Sequence, residues 1–354
     1  MKRLMVMAGG TGGHIFPALA VAQQLQKEGW LVDWLGTPHR MEADIVPRYD
    51  IPLHFVDIQG VRGNGLKRLL VTPFKLVKAI FDAWVLFGRL KPSVVLGMGG
   101  FAAGPGGIAA KLRGIPLVLH EQNAVSGVTN RYLAKVANQV LQAFPGAFDQ
   151  APVVGNPIRE LLFKIKRQSH QGPLRVLVIG GSLGAQVFNE VLPKAFAKAH
   201  CPLDIFHQTG KGRSEGVQKR YDELGISAQV SDFVDDMAAA YGWADLVICR
   251  AGALTVSELA AVGLPSILVP LPSAVDDHQT QNARFLTEHQ GGVLLPQGEM
   301  TVERVASLLR EWSDDPEQLA QMGIAAQRQA KPDATEAVAS VCRQLAGVDK
   351  SERV

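Results

Sequence analysis

The chain has little cysteine: three residues, Cys201, Cys249 and Cys342, widely separated. With no C-x-x-C pair, neither a disulfide scaffold nor a zinc site is expected, and a reducing, cytosolic setting is. No uncharged apolar run reaches the roughly 18 residues of a membrane-crossing helix. A signal peptide is not expected either, because the N-terminus runs straight into a strand pattern, Leu4 to Ala8. Neither glycine-rich loop spells G-x-G-x-x-G, and Gly210-Lys211 is followed by Gly212, so there is no Walker A loop. Charged residues are few, at 19%, against 47% hydrophobic. That balance excludes disorder, and 354 residues are long for one domain but right for two.

What is present is a pattern that occurs twice. Lys2–Ala8 runs into Gly9-Gly-Thr-Gly-Gly-His14 and then a helical pattern over Phe16–Lys27. Leu174–Ile179 runs into Gly180-Gly-Ser-Leu-Gly-Ala185 and a helical pattern from Gln186 to about His200. Each reads as a buried parallel strand, a glycine turn and a helix, the opening of a Rossmann-like domain. Further β-rich runs alternate with helical patterns: Leu31–Leu35, Ser93–Leu96, Pro116–His120, Leu203–His207, Leu246–Cys249 and Ser266–Val269. The expected architecture is α/β, two Rossmann-like domains with parallel sheets facing a cleft. The expected divisions are 1–160, 161–340 and a helix end and tail over 341–354, with the basic stretch Lys164–Gly172 as linker. The net charge of +3 hides an asymmetry, because residues 1–160 carry 17 Lys/Arg against 10 Asp/Glu. A basic first half favours an anionic partner.

A glycine turn opening a helix offers backbone N–H groups and the positive end of a helix dipole to a phosphate. A third glycine-rich segment, Gly97 to Gly107, strengthens the case for a ligand. His14, closing the first loop, has the chemistry of a general base or a phosphate donor. An oxidoreductase remains the rival on one point: Asp33 lies about 20 residues beyond the first loop, where a ribose-binding acid is expected. In the second half, Cys249-Arg-Ala-Gly-Ala-Leu-Thr-Val-Ser-Glu-Leu259 leads a strand into a helix that carries Glu258 one turn in, suited to ribose hydroxyls. Asp276-Asp-His-Gln-Thr-Gln-Asn-Ala283 supplies amides for sugar hydroxyls.

Taken in order, GGTGGH, GMGGFAAGPGG, LHEQN, VVGNPIR, GGSLGA, CRAGALTVSEL and DDHQTQNA resemble the MurG family over Lys2 to about Asn282. That resemblance implies a GT-B fold and an inverting, cofactor- and metal-independent reaction. N-acetylglucosamine would pass from UDP-N-acetylglucosamine to the C4 hydroxyl of undecaprenyl-diphosphate-linked muramoyl-pentapeptide, at the cytoplasmic face of the bacterial cell membrane. By matching motif it implies that Thr11, Gly12 and Gly13 line the cleft, that Asn123 lies near the transferred sugar, and that Arg159 and Ser182 hold the diphosphate. Val234 would sit by the uracil. Ala253, Leu254, Thr255, Val256, Ser257 and Glu258 would carry the nucleotide, and Gln279 the sugar. The motif reads DDHQ here where many relatives have DNHQ, which weakens any role for Asp277. The sequence has no D-x-D metal pair; Glu42-Ala-Asp44 is the nearest spacing and reads as a solvated helix face. Helix N-termini with Arg159 would then stabilise the leaving group. For the base, His14 is the first candidate, with Glu121 and His120 as alternatives.

Residues 61–91 hold seven Lys/Arg against one acid, interleaved with Leu, Val, Phe and Trp. Their apolar content is too wide for a single buried stripe, which points to an anionic membrane surface as well as a core. No nucleic-acid motif is present, and nucleic acid is not expected as a partner.

Overall fold

A computed structural model describes residues 1–58, 66–167, 172–181 and 183–347; within 66–72 only the backbone is described. The chain divides into two compact units, Met1–Ile158 with Asp333–Val354, and Arg159–Pro332.

The first unit begins with β1 (Arg3–Ala8), α1 (Gly12–Lys27), β2 (Leu31–Gly36), α2 (Met41–Ile45), β3 (Leu53–Phe55) and α3 (Leu66–Leu90). It continues with β4 (Val94–Gly99), α4 (Ala103–Leu112), β5 (Leu117–Glu121), α5 (Val128–Leu133) and β6 (Gln139–Gln142). The sheet order is β3-β2-β1-β4-β5-β6, with every pair parallel. Because both faces are covered, β1 is apolar from Leu4 to Ala8 rather than alternating. Leu4, Val6 and Ala8 pack with α1 on one face; Met5 and Met7 pack with α3 and α4 on the other.

The second unit repeats the plan with β7 (Leu174–Ile179), α6 (Gln186–Ala199), β8 (Leu203–Gln208), α7 (Ser214–Glu223), β9 (Gln229–Ser231) and α8 (Met237–Trp243). β10 (Leu246–Cys249), α9 (Ala253–Val262), β11 (Ser266–Leu268), α10 (His278–Thr287), β12 (Val293–Leu294), α11 (Val302–Asp314) and α12 (Pro316–Gln327) follow. Its order is β12-β11-β10-β7-β8-β9, again all parallel. In each sheet the order reverses once, between β1 and β4 and between β7 and β10. Such a reversal opens a crevice at the carboxyl edge of the strands.

Two expected divisions differ from the structure. Within the stretch read as linker, Lys164–Gly172, the Arg167 side chain is docked on the second unit: its guanidinium donates to the Gly263 carbonyl at 2.8 Å and the Asp245 carbonyl at 3.2 Å. The last helix, α13 (Ala334–Gly347), lies in the first unit, although residues up to 340 were expected in the second. Val338, Ala339 and Cys342 join the core around α1, and Arg343 pairs with Glu28 at 2.7 Å. Burial of that apolar stripe decides where the helix goes.

Helix α3 has two apolar faces. Ala79, Ala83 and Phe87 are buried against the sheet, while Phe74, Val77, Phe81, Trp84 and Val85 are exposed. Phe81 and Trp84 stack at 6.1 Å, and the Arg113 guanidinium covers the Trp84 ring at 3.9 Å. Of the basic and aromatic residues expected in 61–91, residues 61–65 lie outside the described structure. No described helix is long and apolar enough to cross a membrane.

Candidate active site

In the second unit, chain ends from five strands meet at the carboxyl edge. The loop after β7 is held from below by Gln208, at the end of β8. Its carbonyl accepts from the Gly180 N–H at 3.1 Å, and its amide donates to the carbonyls of Gly181 and Asp232, each at 3.0 Å. Gly184 has φ +68°, and a Cβ there would stand 2.0 Å from the Thr209 oxygen. The loops after β7 and β8 thus press backbone to backbone, and only glycine fits. Ser182 lies outside the described residues.

Across the order reversal, β10 leads into Arg250. This cation is committed to the fold: it donates to the carbonyls of Val269 (3.2 Å) and Pro270 (3.1 Å) and to Gln297 Oε1 (2.7 Å). It also lies over the Phe188 ring at 5.0 Å. Helix α9 then starts at Ala253 behind a Gly252 cap that contributes no side-chain bond. A glycine at this position brings no side-chain oxygen to the positive end of the helix. Leu254, Thr255, Ser257 and Glu258 are half-buried in the first turns, and Ala253 is buried. The Ser257 hydroxyl donates to the Ala253 carbonyl at 3.0 Å. Val256 is fully buried, with its side chain in the core.

Glu258 accepts from the Tyr241 hydroxyl at 3.0 Å. Burial lifts the Glu258 carboxyl above its ordinary range, while the Tyr241 hydroxyl and the exposed Arg159 oppose that rise. Val234 is buried in the loop after β9, with Phe233 exposed beside it. Gln279 opens α10, and its carbonyl accepts from the Leu271 N–H at 2.9 Å. Asp276 and Asp277 just before it have φ of +52° and +49°. Two consecutive non-glycine residues in the left-handed region are strained, a condition common at ligand-binding turns.

In the first unit, Thr11 caps α1 without a side-chain bond, and Gly12, Gly13 and His14 form the first turn. The imidazole of His14 lies against Gly99, where a Cβ would stand 2.9 Å from its Cε1. Its Nδ1 is 2.7 Å from Gln122 Oε1. Gln122 in turn reaches His120, whose Nε2 is 2.9 Å from the Gly155 carbonyl. His120 is fully buried, and desolvation pulls its imidazole down to about 4 against the opposing Gly155 carbonyl and Glu121 charge.

Glu121 does not have the geometry of a base. It is buried and accepts four bonds: from the N–H of Asn123 (3.0 Å) and Gly127 (3.1 Å), and from the amides of Asn123 (3.3 Å) and Asn130 (2.9 Å). Both oxygens are used to shape the loop after β5, including Asn123 itself. His120 is likewise enclosed.

Glu42 reverses an expectation made on spacing. It is 1% exposed rather than solvated, and its carboxylate accepts from the N–H of Gly10 (2.9 Å) and Thr37 (3.0 Å) and from the Thr37 hydroxyl (2.7 Å). It therefore does for the first glycine loop what Gln208 does for the second. The sequence signal for it was weak, one of two acids in the five-residue helix α2. Asp33 is also 3% exposed, in the middle of β2, paired with Arg3 and bonded to His54 at 2.8 Å. It is not at the strand's carboxyl end, where a dinucleotide ribose would need it.

Two doubly wound units, each opening on a strand, a pinned glycine loop and a helix, define the GT-B fold class. Fold alone does not separate its members: a UDP-GlcNAc 2-epimerase from Neisseria meningitidis is similar (TM-score 0.66, 12% identity, 97% of this chain and 100% of that one) and shows the fold only. The models of the glycosyltransferase family 28 N-terminal and C-terminal domains match residues 4–142 and 175–338. A UDP-N-acetylglucosamine–N-acetylmuramyl-(pentapeptide) pyrophosphoryl-undecaprenol N-acetylglucosamine transferase from Tolumonas auensis is 52% identical, over 97% of this chain and 99% of its own length. The crystal structure of Acinetobacter baumannii MurG superposes with a TM-score of 0.87 at 45% identity, covering 97% of this chain and all of that one. The chain belongs to glycosyltransferase family 28 and, within it, to the MurG family.

Proposed function

We propose that the second unit holds the donor of an inverting transfer and that the first supplies the base. The chain is an N-acetylglucosaminyltransferase: it moves N-acetylglucosamine from UDP-N-acetylglucosamine to the C4 hydroxyl of N-acetylmuramoyl-pentapeptide carried on undecaprenyl diphosphate. The observation that carries this division of labour is the chemistry beneath the two glycine loops. A carboxylate, Glu42, occupies the Gly10 N–H of the first, whereas a neutral amide, Gln208, holds the second. A carboxylate against a loop's N–H groups disfavours a diphosphate on that same loop, and a neutral pin does not.

On this reading the diphosphate meets the start of α9 and Arg159, while Glu258, oriented by Tyr241, takes the ribose hydroxyls. Val234 and the main chain around Val256 bound the base, and the free end of the Gln279 amide meets the sugar. Thr11, Gly12, Gly13 and Asn123 are the first unit's residues assigned to contact substrate. The acceptor hydroxyl gives its proton to His14 as its oxygen bonds to the anomeric carbon, and the carbon–oxygen bond to UDP breaks. Charge accumulates on the departing diphosphate, where a helix end and Arg159 oppose it in place of a metal. Thermal unfolding with UDP-N-acetylglucosamine, UDP-glucose, GDP-mannose and NADH in EDTA tests the donor site. UDP-N-acetylglucosamine should raise the midpoint most, since a ligand that binds only the folded state stabilises it. A shift with NADH alone overturns the reading.

The exposed face of α3 supports a peripheral position on an anionic membrane, and the MurG family likeness supports the cytoplasmic side. Lys75, Lys78 and Arg89 flank Phe74, Val77, Phe81 and Trp84. A double variant, Phe81→Glu with Val77→Glu, should lower partitioning onto anionic vesicles by about 10-fold or more, given the transfer energy of such side chains. Its turnover on a short-chain, water-soluble acceptor should match the parent; unchanged vesicle binding would refute the assignment.

A further inference from the structure

Four groups behind the first glycine loop form a chain with a fixed direction. At its far end His120 Nε2 faces the Gly155 carbonyl at 2.9 Å, and a carbonyl only accepts. Nε2 therefore carries the proton, and Nδ1 of that neutral ring is an acceptor. The Gln122 amide group stands 3.1 Å from this Nδ1 and 2.9 Å from the His120 carbonyl oxygen. A group lying against a carbonyl and an imidazole lone pair has to be the NH₂ end, so chemistry settles the orientation of the amide. Its oxygen then faces His14 Nδ1 at 2.7 Å. An amide oxygen accepts, so His14 bears its proton on Nδ1 and presents Nε2 as a lone pair.

We infer that Gln122 is a positioning residue that locks His14 in the Nδ1–H tautomer, with the His120–Gly155 pair dictating the direction of the lock. The inference rests on the reading of His14 as the base and deepens it: it states which nitrogen takes the acceptor's proton, and why. Three further features hold the lock in place. Gln122 is 1% exposed and His120 is fully buried, so water does not compete for these bonds. The buried Asn156 side chain donates to the Gln122 carbonyl at 3.1 Å and fixes its backbone. Gly99 allows the His14 ring to lie flat where any Cβ would displace it. Because burial keeps His120 neutral over the working range, its direction does not reverse. Without the amide oxygen, a free imidazole divides between its two tautomers, and one of them turns a hydrogen toward the acceptor hydroxyl.

The test is nitrogen NMR of the full-length enzyme labelled in its histidine rings, with the His14 signals assigned by their loss in His14→Ala. The parent should show His14 as a single Nδ1–H tautomer and His120 as the opposite one. In Gln122→Met, which keeps length but removes all three amide hydrogen bonds, His14 should become a mixture, kcat should fall by about 10- to 10²-fold, and KM for UDP-N-acetylglucosamine should stay within about twofold. An Nε2–H tautomer at His14 in the parent, or an unaltered tautomer in Gln122→Met, overturns the inference. A tautomer change with unchanged turnover upholds the lock and removes His14 from the role of base, which keeps the two claims separable. If Gln122→Met does not fold, the parent spectrum alone decides.

Discussion

His14→Ala will lower kcat by about 10²- to 10⁴-fold, the contribution of a positioned general base. The donor's effect on thermal stability will persist, because the residues proposed for the nucleotide are in the other compact unit. The expected split follows from chemistry: removing a group that acts only as the proton leaves changes the transition state and not the ground state. Glu121 is the informative comparison. With four donors converging on it, Glu121→Gln places an NH₂ against groups that themselves donate. That variant should lose stability through the loop after β5, and any loss of activity should track the unfolded fraction. Transfer rates with a soluble acceptor, beside melting curves for both variants, check the pair. Near-parental turnover in His14→Ala would exclude it as the base.

Gly184→Ala will unfold the second unit or cost it on the order of 3–5 kcal/mol. Two effects combine there. Its φ of +68° is unfavourable for a residue with a Cβ, and that Cβ would stand 2.0 Å from the backbone oxygen of Thr209. A flexible side chain would yield to the new atom; a carbonyl in a parallel sheet's end loop cannot without moving β8. Gly181→Ala separates the two contributions, because Gly181 also has a positive φ, +86°, but nothing within 4 Å of its Cβ position. It should show the conformational strain alone, about 1–2 kcal/mol. Denaturant midpoints for both variants measure the difference, and equal losses would mean that strain dominates.

Much of the fold was legible because central strands of a parallel sheet are buried on both faces. The expected runs Leu174–Ile179 and Leu246–Cys249 coincide with β7 and β10, and Leu4–Ala8 and Leu203–His207 each fall one residue short of β1 and β8. The four strands not anticipated are β3, β6, β9 and β12, which are the four sheet edges. They have two to four residues each and are mostly half-buried. An edge strand pairs on one side only, so its composition is weakly constrained and leaves little periodicity to read.

The proposed site divides along a similar line. Glycines, the helix start at Ala253 and the His14 position are local features, dictated by turns and helix ends whose residues are adjacent in sequence. The sequence by itself determined two Rossmann-like openings, their loops and the family to which they belong. Only the tertiary structure decided what stands behind those loops. It brought Glu42 from 32 residues beyond Gly10 and Gln122 from 108 residues beyond His14, returned α13 to the first unit, and buried Glu121 and the Val256 side chain. The reason is physical: a buried polar group must find its partners wherever the fold supplies them, and no local pattern records which distant residue that will be.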